Sequence, residues 1–154
     1  RVLVLSQSVP SRPNWCPSDC FSTKPIPERF FQHDRYGFSL LTNPTKKLRV
    51  DNPDGTRKKN GRRVPITRIE ECAAWLLRKG ASGGFLIDPE NIRVIPRGRE
   101  FFHKDHTSRG THTATEFQGE LTVTDPELFR STIATGIGSA KAFGFGLLVL
   151  APIS

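Results

Sequence analysis

Tyr36, Phe38 and Leu40 alternate with small residues in Tyr36-Gly-Phe-Ser-Leu-Leu-Thr42. A period of two is that of a half-buried strand, and Asn43-Pro44 closes it. The period changes after Thr67: Ile69, Cys72, Ala73, Leu76 and Leu77 recur at helical spacing. Thr67-Arg-Ile-Glu70 reads as a capping box, the Thr67 hydroxyl accepting from the Glu70 amide while the Glu70 side chain reaches back. Arg78-Lys79-Gly80 puts cations and a glycine where a helix carboxyl end favours them. Cys72 lies on the apolar stripe and reads as core, whereas Trp75 falls on its flank and reads as a contact toward another domain or a partner. Gly84-Phe-Leu-Ile87 and Ile92-Arg-Val-Ile95 read as one strand interrupted at Asp88-Pro89.

Pro96 to Gly110 is polar, and then Phe117, Gly119, Leu121 and Val123 alternate with Glu116, Gln118, Glu120 and Thr122 as a strand with one wet face. Asp125-Pro126-Glu127 supplies an N-cap, a proline at the first helical position and an acid in the first turn. Leu128, Phe129 and Ile133 form that helix's stripe, Gly136 ends it, and a last strand is expected from about Ala142. The order strand, helix, strand, strand, helix, strand is the ferredoxin-like, split βαβ plan: an α+β domain with a four-stranded antiparallel sheet and two helices on one face.

Upstream of this unit, five prolines between Val9 and Pro27 exclude a helix or central strand and read as a linker or surface-hugging connection. Arg1-Val-Leu-Val-Leu5 reads as a strand already in progress, and with no methionine in the chain an upstream part is expected. Residues 46 to 63 carry eight Lys/Arg against Asp51 and Asp54, with turns at Pro53-Asp54-Gly55 and Asn60-Gly61, as an exposed basic loop or hairpin. No apolar run is long enough for a transmembrane helix. With 23 Lys+Arg against 15 Asp+Glu, the formal charge of +8 makes a polyanion the expected partner, nucleic acid ahead of an acidic membrane surface. Three cysteines without regular spacing argue against a disulfide framework and point to the cytoplasm.

Glycines crowd Gly136-Ile-Gly-Ser-Ala-Lys-Ala-Phe-Gly-Phe-Gly146 around one lysine. Such a joint lets backbone amides approach a phosphate, and Lys141 adds a point charge. The same glycines also serve a purely architectural turn. Walker-loop order is absent, since no Gly-Lys-Ser/Thr follows and a helix precedes a strand. Lys141-Ala-Phe-Gly-Phe-Gly-Leu-Leu148 partly matches the aromatic signature of RNA recognition motifs, but on the last strand and not the third; Phe143 and Phe145 are expected to be largely core.

Gly136 to Pro152, preceded by Phe117-Gln-Gly-Glu-Leu-Thr-Val-Thr-Asp-Pro126, resembles the carboxyl end of the CasE family, the CRISPR RNA processing endoribonucleases of type I-E Cascade within the RAMP superfamily. Asn43-Pro44, Lys58-Lys59-Asn60-Gly61-Arg62-Arg63, Trp75-Leu-Leu-Arg-Lys79 and Gly84-Phe85 fit in the same order. The resemblance implies two ferredoxin-like domains in tandem: residues 1–8 as the closing strand of the first, 9–34 as linker, and 35–154 as the second, RNA-binding domain. It implies metal-independent cleavage of a repeat RNA at the base of its hairpin, the ribose 2′-hydroxyl attacking the adjacent phosphate, with the product retained in Cascade for antiviral defence. Expected partners are the CRISPR repeat RNA hairpin and other Cascade subunits, above all the backbone subunit; no cofactor, metal or membrane is expected. The family's catalytic histidine lies upstream of Arg1, so no catalytic residue is assigned here.

The RNA-binding candidates are Gly136, Gly138, Ser139 and Lys141 in the glycine-rich joint; Arg97, Arg99, His103, Lys104 and Arg109 where the family projects a basic hairpin; and Lys58, Lys59, Arg62 and Arg63 in the basic run. His103, His106 and His112 read as RNA contacts or exposed side chains ahead of proton-transfer groups, and Cys16 and Cys20 with His103 and His106 make only a formal zinc set. A module that caps an RNA hairpin without cutting it is the alternative reading.

Overall fold

A computed structural model describes residues 2–48, 61–103 and 109–153, with His103 and Arg109 described by backbone alone. The alternation at the first strand sets the plane of the molecule. β1 (Arg35–Thr42) buries Tyr36, Phe38, Leu40 and Thr42 on one face. β2 (Thr45–Leu48) and β3 (Arg62–Pro65) form a separate two-stranded ribbon, the root of the expected basic hairpin. Then come α1 (Ile69–Ala81), β4 (Phe85–Ile87), β5 (Arg93–His103), β6 (Arg109–Val123), α2 (Pro126–Thr135) and β7 (Leu148–Pro152).

β1 lies between β7 and β6, antiparallel to both. β4 and β5 occupy successive stretches of the other edge of β6, against Leu121–Val123 and Arg109–Gln118, so together they act as one interrupted strand. Counting them as one, the sheet runs β7, β1, β6, β4/β5, the ferredoxin-like arrangement. One cluster joins Tyr36, Phe38, Leu40, Phe117, Leu121 and Leu148 of the sheet to Cys72, Trp75 and Leu76 of α1 and to Phe129 and Ile133 of α2, so both helices cover the same face. Among the described residues no helix is long and apolar enough to cross a membrane.

Four expectations need correction. The capping box does not form: α1 is capped by Arg68, with no side-chain bond. Ile66 is buried, its amide donating to the Pro44 carbonyl at 2.9 Å, and the first helical bond runs from Cys72 to Arg68, so winding begins one residue late. Trp75 is core, stacked on Phe117 with ring centroids 6.2 Å apart. The polar stretch after Pro96 is strand, because β5 continues to His103 through a bulge between Pro96 and Gly98, where proline's missing amide is tolerated. Beyond the sheet there is no core beneath these residues, so no apolar period marks them. The last strand starts at Leu148, not Ala142, and Phe143 is 53% exposed while Phe145 is buried.

The segment read as linker is bound down at its carboxyl end. Tyr36 donates to the Phe30 carbonyl, Arg130 of α2 holds Glu28 through two bonds of 3.1 and 2.7 Å, and its guanidinium lies 4.4 Å over the Phe31 ring. Phe117 is fully buried between the sheet and Trp75. Phe117→Ala is therefore expected to lower the unfolding free energy by about 3–5 kcal/mol in urea titration, the cost of a large core cavity.

Candidate nucleic-acid interface

α2 ends at Gly136, at φ 73°, whose amide still donates to Thr132 at 2.8 Å. The next residue, Ile137, is buried and anchors the chain; its amide reaches the Gly146 carbonyl at 2.8 Å, and the Gly146 amide reaches Leu41 of β1 at 2.7 Å. A Cβ on Gly136 would stand 2.9 Å from the Gly146 carbonyl oxygen, and one on Gly146 2.6 Å from that of Ile137. These two glycines are thus required by close backbone approach, as the architectural reading holds.

Between them the loop is differently made. Ser139 bridges to Asn43, its hydroxyl donating to the Asn43 carbonyl at 3.2 Å. Ala140 follows in the left-handed region at φ 64°, then a 3₁₀ turn over Lys141–Phe143. A left-handed residue followed by a right-handed turn aims successive amides to one side, the geometry of an anion-binding nest. Among the described residues the amides of Ala140, Lys141 and Ala142 have no carbonyl partner, and the Lys141 side chain is exposed and in no ion pair.

Phe143 and Phe145 fasten this loop to the β5–β6 hairpin. Phe102 stacks on His112 with centroids 4.5 Å apart, Phe143 lies 4.5 Å from Phe102 and 4.8 Å from His112, and Phe145 lies 5.6 Å from His112. Asn43 sits at the joint. Its Oδ1 accepts from the Thr113 amide at 3.2 Å, which leaves Nδ2 to donate to His112 Nδ1 at 3.0 Å. With Nδ1 accepting, a neutral His112 carries its hydrogen on Nε2, which is buried and has no partner among the described residues. Bonded to Asn43 and packed on Phe102, Phe143 and Phe145, His112 holds the loop and hairpin together.

Arg97 projects from β5 onto Glu116 of β6, its Nε donating at 2.7 Å; Gln118 and Ser39 donate to the same carboxylate at 2.6 and 3.4 Å. The Arg97 bond, then that from Gln118, hold the Glu116 pKa below its ordinary value. Arg99, further out on β5, is exposed and forms no ion pair among the described residues. His103 and Arg109 pair at the outer end of the hairpin. Arg62 and Arg63 are exposed on β3. Lys58, Lys59, Lys104 and His106 lie outside the described residues.

A cavity of about 280 Å³ opens where these parts meet, lined by Asn43, Thr45, Arg63, Pro65, Thr111, His112, Ser139 and Ala140. The structure thus brings the glycine-rich loop, the β5–β6 hairpin and the β2–β3 ribbon together. Sequence reasoning missed Asn43 as their link: it was visible only as the residue closing a strand, although a polar side chain before proline at a strand end is a usual place for local bonding.

Gly146→Ala is expected to destabilise by about 2–4 kcal/mol in urea titration, because both its φ and its neighbour Ile137 exclude a Cβ. A second measurement concerns acid. A carboxyl whose pKa is lowered by folding stabilises above its unfolded value, and that stability disappears as pH falls through the folded value. The stability difference between the wild type and Arg97→Ala, followed from about pH 7 to about pH 3, is expected to be full at neutral pH and to vanish at the acid end.

The family model for CRISPR associated protein matches residues 1–152. The CRISPR-associated endoribonuclease Cse3 of Thermus thermophilus is 31% identical over 164 residues, covering 97% of this chain and 73% of the relative. The CRISPR system Cascade subunit CasE of Escherichia coli K12 is 34% identical over 119 residues, 75% of this chain and 57% of its own. Among solved structures, E. coli Cas6e superposes with a TM-score of 0.62 at 30% identity, over 79% of this chain and 62% of that one. Thermus Cse3 bound to an RNA representing a pre-cleavage complex gives 0.60 at 30% identity, over 86% and 58%. Sequence, fold and element order agree: the chain belongs to the CasE/Cse3 family of CRISPR-associated proteins, of whose curated members it spans 57% to 73%.

Proposed function

We propose that this chain binds the hairpin of a CRISPR repeat RNA and serves an endoribonuclease that cuts it, the product staying bound within Cascade in the cytoplasm. The observation that carries the reading is the loop from Ser139 to Phe143, where, among the described residues, three neighbouring amides have no carbonyl partner and the Lys141 cation beside them is in no ion pair. That combination fits a phosphate oxygen, and phosphate contacts set register on an RNA stem without reading its sequence. Arg99 on β5 extends the cationic track, and Arg62 and Arg63 flank it; His103, Lys104 and Arg109 are proposed as further RNA contacts on their sequence alone. Arg97 contributes less free charge, being tied to Glu116.

Residues 35–154 form the RNA-binding domain in this reading, 9–34 the linker, and 1–8 the closing strand of a first ferredoxin-like domain. Supporting this, Val2 to Leu5 are exposed and have no ladder partner among the described residues, Val2 at 88% and Val4 at 73% exposure, as expected of an apolar strand whose own sheet is elsewhere. The reaction is 2′-hydroxyl attack on the adjacent phosphate, without a metal, with fixed amides and Lys141 offsetting charge on the phosphorane.

The placement of His112, its Nδ1 taken by Asn43 and its Nε2 buried with no partner among the described residues, favours, as a second reading for these residues by themselves, an RNA-hairpin-binding module that does not cut. Incubating the protein with labelled repeat RNA in EDTA separates the two: a defined shorter product ending in a cyclic phosphate supports cleavage, and a gel shift with intact RNA supports binding alone. In either case Lys141→Ala is expected to weaken RNA binding and to reduce the slope of log affinity against log salt by about 1, as for one lost phosphate contact. Unchanged affinity and slope would leave the loop as architecture only.

A further inference from the structure

We infer that the cavity between the β2–β3 ribbon and the glycine-rich loop is a subsite for one unpaired ribonucleotide, a flanking residue of the bound RNA. This rests on the RNA-binding reading above and goes beyond it, since the stem phosphates need only the loop and the hairpin. The lining decides the chemistry. It contains one guanidinium, Arg63, and no carboxylate, so a cation is not its ligand. Arg63 forms no ion pair among the described residues. Hydroxyls of Thr45, Thr111 and Ser139 supply uncharged donors and acceptors, and Pro65 and Ala140 give apolar walls.

Charge at one place, hydroxyls around it and apolar walls beside it match a nucleotide, with phosphate or base edge on Arg63 and the ring between the walls. At about 280 Å³ the space lies at the small end of ligand sites and holds one nucleotide, not two. The floor is preformed. Asn43 is fixed by Thr113 and His112, which leaves one amide hydrogen and one oxygen lone pair unused. Ala140, in the wall, keeps a left-handed backbone that costs a non-glycine residue energy, and such outliers gather at ligand sites.

The shared chemistry admits two sources, a nucleotide flanking the RNA stem or a free nucleoside monophosphate, and the test separates them. Affinity is measured for a blunt repeat hairpin and for the same hairpin with a single 5′ or 3′ unpaired nucleotide, or an abasic one, on the wild type and on Thr45→Val/Thr111→Val. The quantity read is the ratio of flanked to blunt affinity within each protein. One of the flanks is expected to raise wild-type affinity about tenfold, the scale of two uncharged hydrogen bonds from the Thr45 and Thr111 hydroxyls, with the gain lost in the double variant and reduced for the abasic flank. A wild-type ratio near one for both flanks overturns the assignment. So does binding of free AMP, GMP, CMP or UMP that shifts the Thr111 and Ala140 amide resonances while flanks add nothing, because the ligand is then a free nucleotide. If the blunt hairpin does not bind at all, the RNA reading fails by itself. The mononucleotide titration then tests the pocket: shifts at those amides keep a nucleotide subsite, and none removes it.

Discussion

The end of β1 is where the molecule is pinned. There the Leu41 carbonyl receives the Gly146 amide, Asn43 bridges to Ser139, and the Asn43 side chain grips both Thr113 and His112. One short piece of backbone thus holds the start and the finish of the glycine-rich loop and the root of the β5–β6 hairpin. The loop's shape comes from these bonds, from the two contacts that exclude a Cβ, and from the anchoring of Ile137, Phe143 and Phe145. Without them the amides of Ala140 to Ala142 have no reason to point the same way, and the cavity beside Arg63 has no wall.

The electrostatics follow from that scaffold. A chain of formal charge +8 needs some cations tied down and others left free. Arg35 pairs with Glu120, Lys46 with Glu71, Arg97 with Glu116 and Arg130 with Glu28, each pair fastening two elements of the fold. Exposed pairs of this kind contribute little stability but do fix which positive groups remain for a polyanion. Among the described residues, Arg99, Arg62, Arg63 and Lys141 are in no ion pair around the loop and hairpin, and the first cannot be told from its neighbour Arg97 by composition alone.

Much of the fold was legible because periodicity reports burial. Tyr36, Phe38 and Leu40, and again Phe117 and Leu121, alternate because a core lies beneath them, and Asp125 caps α2 as its sequence requires. The outer half of β5 was not legible, since among the described residues none of 97–103 joins the main core and Phe102 alone packs on aromatic rings, so no apolar period is imposed. Trp75 misled because a helix that packs on both a sheet and a loop buries more than a narrow stripe: Gly138 lies against its ring. At the site, the glycines announced a backbone-lined loop, yet its bond to Asn43 spans 96 residues and that from Asn43 to His112 spans 69, and neither leaves a local pattern.

β6 runs for fifteen residues, and its two halves have different surroundings. Phe117 and Leu121 are clamped in the core, while Arg109 to Thr113 extend beyond the β1 ladder, paired with β5 and braced at His112 and Thr113 by Asn43 and the glycine-rich loop. Mechanically this is a cantilever with its fixed end under both helices. Any load taken at the free end is carried inward along the β5–β6 ladder, through its bulge at Pro96–Gly98, as bending, and the aromatic packing of Phe102, His112 and Phe143 acts as the bracket. A stiff arm of that sort holds a bound partner at a set distance from the glycine-rich loop, so spacing is imposed by the length of a strand and does not have to be found afresh at each encounter.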